Sequence, residues 1–273
     1  MSIISVMKSN IGKPFVKWAG GKQALAEEIL LRFPKKYGTY YEPFLGGGSL
    51  LLATMPSSAV VGDLNSWLVT TYESIRDDWN KIASVLDELP NTKQDFLRIR
   101  EISYFETNRW CKAAYFIYLN KTCFRGLFRV NRSNRFNVPY GEYDRRYYDP
   151  HNLAAVAESL KGVEFRIGDF ELNVDGIKKG DFVYFDPPYY KIGGYSDFNR
   201  YTSEQFREAD QFRLAALCRE FHEKQIKWLV SNSDTPFIRS LFEGFRIESI
   251  TARRDINLKS AKRSISELLI GNY

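Results

Sequence analysis

The spacing of apolar positions changes twice along the chain and divides it into three stretches. From Gln23 to Arg32 they recur at helical intervals, which predicts a short amphipathic helix stopped by Phe33-Pro34. Thr39–Glu42 is a short β-prone run that meets Gly46-Gly47-Gly48, and Ser49–Thr54 returns to helical character. Ser58–Asp63 predicts a buried strand closed by an acid. From Trp67 to about Pro150 helical periodicity dominates. Within it, Leu127–Val130 and Arg135–Val138 predict two short strands joined by the turn-prone Asn131–Asn134. The strand–helix rhythm then resumes with strands at Val163–Ile167 and Asp181–Phe185, a helix from about Ser203 to Lys224, and a strand at Lys227–Val230.

Alternating strands and helices at both ends predict an α/β fold: a mostly parallel sheet with helices on both faces. The middle stretch is too long for one crossover. It predicts a mainly helical domain carrying a β-hairpin, residues 66–150, inserted into an α/β domain formed by residues 1–65 and 151–273.

Composition narrows the class. The 273 residues are 44% hydrophobic and 26% charged, as in a soluble globular protein. No apolar run is long enough to span a membrane. Met1–Lys13 lacks the pattern of a signal peptide, so a cytoplasmic protein is expected. Cys111, Cys123 and Cys218 form no C-x-x-C pair, and His151 and His222 are the only histidines, so no metal site is expected.

The net charge of +6 suits a polyanionic partner, and its placement is more telling than its size. Lys121, Arg125, Arg129, Arg132, Arg135, Arg145 and Arg146 face only Glu142 and Asp144 in that stretch. Phe124, Phe128, Phe136, Tyr140 and Tyr143 are interleaved with them. Such a mixture can hold phosphates and wedge between bases.

Three motifs carry candidate chemistry. Phe15–Lys22 (FVKWAGGK) and Glu42–Ser49 (EPFLGGGS) are glycine-rich, and the second lies between a strand and a helix, where backbone can approach a ligand closely. Neither is G-x-G-x-x-G nor a Walker loop, which disfavours NAD and ATP. Asp63, closing the next strand, is placed either to meet a ribose or to cap the following helix. The third motif, Asp186-Pro187-Pro188-Tyr189, follows the apolar strand Phe182–Phe185. An exocyclic amine on an aromatic base is a poor nucleophile because its lone pair is delocalised into the ring. The Asp186 carboxylate and the Pro187 carbonyl can accept its two N–H bonds and free that lone pair. The prolines stiffen the loop, and Tyr189 offers a face for an extruded base.

With these motifs the chain resembles the Dam-like DNA adenine-N6 methyltransferases. The resemblance also rests on Asn120–Gly141, Gly168-Asp169-Phe170 and Ser231-Asn232-Ser233, in the family's order, and covers nearly the whole chain. It implies a Rossmann-like sheet that binds S-adenosylmethionine, an inserted target-recognition domain, and double-stranded DNA as partner. A cognate restriction endonuclease would be a functional partner. Residue by residue, it implies that Trp18, Gly20, Lys22, Phe44, Gly46, Asp63, Asp169 and Phe170 line the cofactor pocket, with Asp186 touching cofactor and target amine. It assigns Lys17, Phe124, Arg125, Leu127, Arg129, Arg132, Arg135, Asn137 and Pro139 to DNA. Among these, Phe124 would push into the duplex and Arg129 would read a base; arginine is the commonest guanine reader.

Arg125 stands where such enzymes often carry asparagine, and Glu142 where several carry a basic residue. Both lie in the recognition element, so the family's GATC target is not carried over. Cytosine-C5 methylation needs a nucleophilic cysteine, usually after proline, and none of the three cysteines follows one. Cytosine-N4 methylation poses the same amine problem, but its loop more often begins with serine. A catalytically silent DNA-binding regulator is the competitor from another class, and the intact Asp186–Tyr189 loop weighs against it.

Overall fold

The computed structural model describes residues 11–190, 206–252 and 265–273. Its centre is a seven-stranded sheet: β1 (Tyr40–Glu42), β2 (Ala59–Asp63), β3 (Val163–Ile167), β4 (Phe182–Phe185), β5 (Lys227–Ser233), β6 (Arg246–Ala252) and β7 (Ile265–Gly271). The order is β3-β2-β1-β4-β5-β7-β6. Strands β1 to β5 are parallel, and β7 runs antiparallel to both β5 and β6. The order reverses between β1 and β4. This opens a crevice at their carboxyl ends, where open α/β sheets bind ligands.

The central strands are apolar throughout because both faces are covered. Side chains alternate between two cores. Phe182 and Tyr184 of β4 join one cluster, while Val183 and Phe185 join the other. The first cluster packs against α3 (Ser66–Asp87), α5 (Arg109–Thr122) and α6 (Pro150–Ser159). The second packs against α8 (Glu208–Glu223) and α9 (Pro236–Leu241). The remaining helices are α1 (Ala26–Leu30), α2 (Ser49–Thr54), α4 (Lys93–Ile102) and α7 (Phe170–Asn173).

Residues 66–149 give the sheet no strand. Their helices begin at side-chain caps: Asn65 accepts from the Trp67 and Leu68 amides, Thr92 from Asp95, and Asn108 from Trp110 and Cys111. Asp149 caps α6, with Pro150 in its first turn. Trp67, Leu68, Phe96, Phe116, Phe128 and Phe136 belong to the same core cluster as Tyr40 and Phe182 of the sheet.

Several expectations change. The expected strands Leu127–Val130 and Arg135–Val138 are not continuous; two isolated bridges, Val130–Phe136 and Cys123–Tyr140, hold the segment. Pro139 has no N–H to donate. Phe128, Phe136 and Val138 are buried in the helical core, so packing rather than a ladder fixes the hairpin. The first helix is shorter than expected, Ala26–Leu30. The expected start of α8 at Ser203 and the segment Met1–Asn10 lie outside the described residues. Among the described residues, no helix is long and apolar enough to cross a membrane.

Candidate active site

Five strand ends deliver one site. Glu42 closes β1, Asp63 closes β2, Asp169 follows β3, Asp186 follows β4 and Ser231–Ser233 close β5. Asp186 Oδ1 accepts from Lys22 Nζ and from Ser231 Oγ, each at 2.8 Å. The Tyr184 hydroxyl donates in turn to Ser231 Oγ at 2.9 Å. Lys22 is only 6% exposed, so this ion pair is shielded from solvent. Burial pushes the Asp186 carboxyl above the usual carboxylate range, and the Lys22 ammonium opposes that rise. Asp186 Oδ2 and the Pro187 carbonyl accept no hydrogen bond within the described residues, whereas the Pro188 carbonyl accepts from Gln211 Nε2 at 3.0 Å. Two acceptors on adjacent residues are thus without a hydrogen-bond donor among the described residues.

Tyr189 is fixed at both ends. Its hydroxyl donates to Glu267 Oε2 at 2.8 Å, and Lys22 Nζ lies 4.6 Å from its ring centroid. Lys22 Nζ also donates to the Gly20 carbonyl at 2.8 Å, which ties the first glycine motif to the Asp186 loop.

The second glycine motif is shaped by close approach. Gly46 and Gly48 have φ of 48° and 64°, and a Cβ on Gly46 would stand 2.9 Å from Trp18 Cδ1. Asp63 holds this loop: Oδ2 accepts from the Gly46 amide at 3.0 Å and Oδ1 from the Asn65 amide at 2.9 Å. Asn65, not Asp63, caps α3. Phe44 stacks on Phe170 with centroids 5.4 Å apart, giving a flat apolar wall. Asp169 caps α7 and is gripped by Arg213 at 2.7 and 3.3 Å. Glu42 is buried, and burial pushes its carboxyl to about 8, against the hydrogen bond donated by the Tyr40 hydroxyl.

The basic and aromatic segment lies next to this pocket. Phe124 is 46% exposed, and it begins a turn in which Arg125 and Gly126 both have positive φ, 60° and 67°. The Arg125 amide donates to the Tyr143 hydroxyl at 2.9 Å. Arg125, Arg129, Arg132, Arg135 and Pro139 are exposed, while Leu127 and Asn137 are half-buried. Arg129 is oriented by Asn137, donating from Nε to Oδ1 at 2.8 Å. Arg135 rests on Tyr104 and Phe105, 4.9 and 5.1 Å from their centroids. Lys17 is joined to this turn through Asn120: the Lys17 amide donates to Oδ1 at 2.8 Å, and Nδ2 donates to the Lys17 and Gly126 carbonyls at 2.9 and 3.2 Å.

No local spacing marks Tyr184, Glu267 or Gln211, because their partners are distant in the chain, nor the grip of Arg213 on Asp169. Asn120 opens the Asn120–Gly141 block, but its bonds to Lys17 span 103 residues.

A parallel sheet with an antiparallel seventh strand between β5 and β6, a glycine loop after β1 and a D-P-P-Y loop after β4 define a Rossmann-like methyltransferase. A family model, D12 class N6 adenine-specific DNA methyltransferase, matches residues 18–256. The chain is 38% identical to the type II methyltransferase M.MjaIII of Methanocaldococcus jannaschii, over 96% of this chain and 99% of that one. It is 36% identical to the type II methyltransferase M1.LlaDCHI of Lactococcus lactis, over 100% and 99%. It is 34% identical to a DNA adenine methylase of Serratia marcescens, over 96% and 98%. The chain belongs to the D12 class of N6 adenine-specific DNA methyltransferases.

Proposed function

We propose that the protein uses S-adenosylmethionine to methylate adenine N6 at a defined site in double-stranded DNA, with the target base extruded into the crevice. The single observation that carries the catalytic assignment is the pair of open acceptors, Asp186 Oδ2 and the Pro187 carbonyl, beside the anchored Tyr189 ring.

The crevice suits the cofactor's chemistry. The Phe44–Phe170 wall matches an adenine ring, and the acids at the ends of β2 and β3 match ribose hydroxyls. The positive-φ glycine loop permits close approach, and the Asp186 carboxylate, paired with Lys22, is the acidic group that faces the cofactor's cation. Trp18, Gly20, Lys22, Phe44, Gly46, Asp63, Asp169, Phe170 and Asp186 would hold it. When bound, it supplies an electrophilic methyl group on a sulfonium.

The protein's own groups do the rest. Asp186 and Pro187 accept the two N6 hydrogens and localise the nitrogen lone pair. Lys22 and Ser231 fix Oδ1, so that Oδ2 faces the amine. Pro188 is held by Gln211, and Tyr189 stacks on the extruded base. Residues 66–150 form the target-recognition domain, and residues 1–65 with 151–273 the catalytic domain. Lys17, Phe124, Arg125, Leu127, Arg129, Arg132, Arg135, Asn137 and Pro139 meet the duplex, and Phe124 fills the gap left by the base. The relatives named type II methyltransferases make a cognate restriction endonuclease a reasonable functional partner.

The test is methylation of plasmid DNA with labelled S-adenosylmethionine, followed by nucleoside analysis. N6-methyladenine is the expected product, and Asp186→Ala should abolish it while duplex binding in a gel shift persists. Near-normal turnover by Asp186→Ala would overturn the assignment.

A further inference from the structure

Asn120 is completely buried near the end of α5, yet its carboxamide makes no bond within that helix. All three of its hydrogen bonds bridge two loops. Oδ1 and Nδ2 pair with both backbone groups of Lys17, as a neighbouring strand would, and Nδ2 also holds the Gly126 carbonyl. The two loops are in tight register there. A Cβ on Gly126 would stand 2.2 Å from Lys17 Cδ, and the Lys17 ammonium lies 5.2 Å from the ring of Tyr143, whose hydroxyl caps Arg125. One loop continues into Trp18 and Lys22, which line the crevice. The other begins at the exposed Phe124.

We infer that Asn120 is a positioning residue that sets the wedge of Phe124 relative to the crevice, so that extrusion of the target base delivers it to Asp186. This rests on the proposed role of Phe124. A buried asparagine with a merely structural role would lower activity on every substrate alike. A residue that positions the wedge matters only when the base has to be driven out of the stack. A mismatched base is less costly to extrude.

The experiment uses the full chain, S-adenosylmethionine, and a duplex carrying the site that the protein modifies in plasmid DNA. A second duplex has a mismatch opposite the target adenine. Asn120→Ala should lose about tenfold or more in kcat on the matched duplex, the effect of one mis-set buried contact. On the mismatched duplex it should return to within about twofold of wild type. Cofactor affinity should be unchanged, and an adenine analogue at the target should brighten less in the matched duplex. Gly126→Ala, which pushes the turn off Lys17 while leaving Asn120 intact, should reproduce the pattern and serves if Asn120→Ala fails to fold. Phe124→Ala is run alongside. Equal loss on both duplexes by the Asn120 and Gly126 variants, with rescue of Phe124→Ala, would overturn the inference alone. Equal loss by Phe124→Ala as well would overturn the wedge reading on which it rests.

Discussion

Glu42 offers the most quantitative perturbation. Its carboxyl is buried beneath the glycine loop and rises from an ordinary 4.5 to about 8, chiefly by loss of solvation. The folded chain therefore keeps this proton up to about pH 8, while the unfolded chain releases it near 4.5. Between those values the folded state binds more protons, so stability falls as pH rises. The contribution is fully present below pH 4.5 and is lost as pH climbs through about 8. At about 1.4 kcal/mol per pH unit, the interval corresponds to about 5 kcal/mol. Glu42→Gln keeps an acceptor for the Tyr40 hydroxyl and removes the titration. The variant should match wild type near pH 5 and exceed it by several kcal/mol above pH 8. At about 2–4 °C per kcal/mol, the separation in Tm at high pH is about 10–20 °C. Asp63 and Asp186 are also raised by burial, so some slope remains in the variant. Urea unfolding at half-unit intervals from pH 5 to 9 measures the difference. Parallel curves for variant and wild type would refute the reasoning.

Two further perturbations address the chemistry. Lys22→Met removes the cation that opposes the rise in Asp186, so the low-pH limb of kcat should move to higher pH. Rates at saturating cofactor across pH 5–9 check this, and an unmoved limb would show that Asp186 ionisation does not control turnover. Arg129→Ala should cost about 1–3 kcal/mol on the cognate site and relax preference at one base. Arg132→Ala should instead weaken all sequences alike and lower the salt dependence by about one phosphate contact. Competition among single-base site variants, with a salt titration, separates them; uniform loss with Arg129→Ala would make it a phosphate clamp.

The parallel half of the sheet was legible because its strands are short apolar runs closed by acids or glycines, as at Ala59–Asp63 and Phe182–Phe185. The chemistry-bearing loops follow those strands directly, so their meeting at one edge followed from topology. Strands β6 and β7 were not foreseen. Ser266-Glu267-Leu268 reads as a surface alternation, yet Glu267 is buried because Tyr189, far away in sequence, gives it a donor. The hairpin was overread as two strands because apolar residues alternate there, whereas Phe128 and Phe136 serve the helical core. Of the two roles the sequence allows Asp63, the helix cap falls to Asn65, while the Asp63 carboxylate braces the Gly46 loop at the edge where the proposed ribose contact lies.

The single core running from β4 to Phe96 and Phe136 bears on how such a protein acquires new targets. Helices that share buried rings with the sheet cannot be exchanged as a cassette. A graft at residues 66 and 149 would cut through Trp67, Leu68 and Tyr72 packing and leave both halves with unmatched surfaces. On the proposed reading, diversification of target sequence would be channelled into the exposed side chains outside that core, such as Arg125, Arg129 and Arg132, which can change without repacking it.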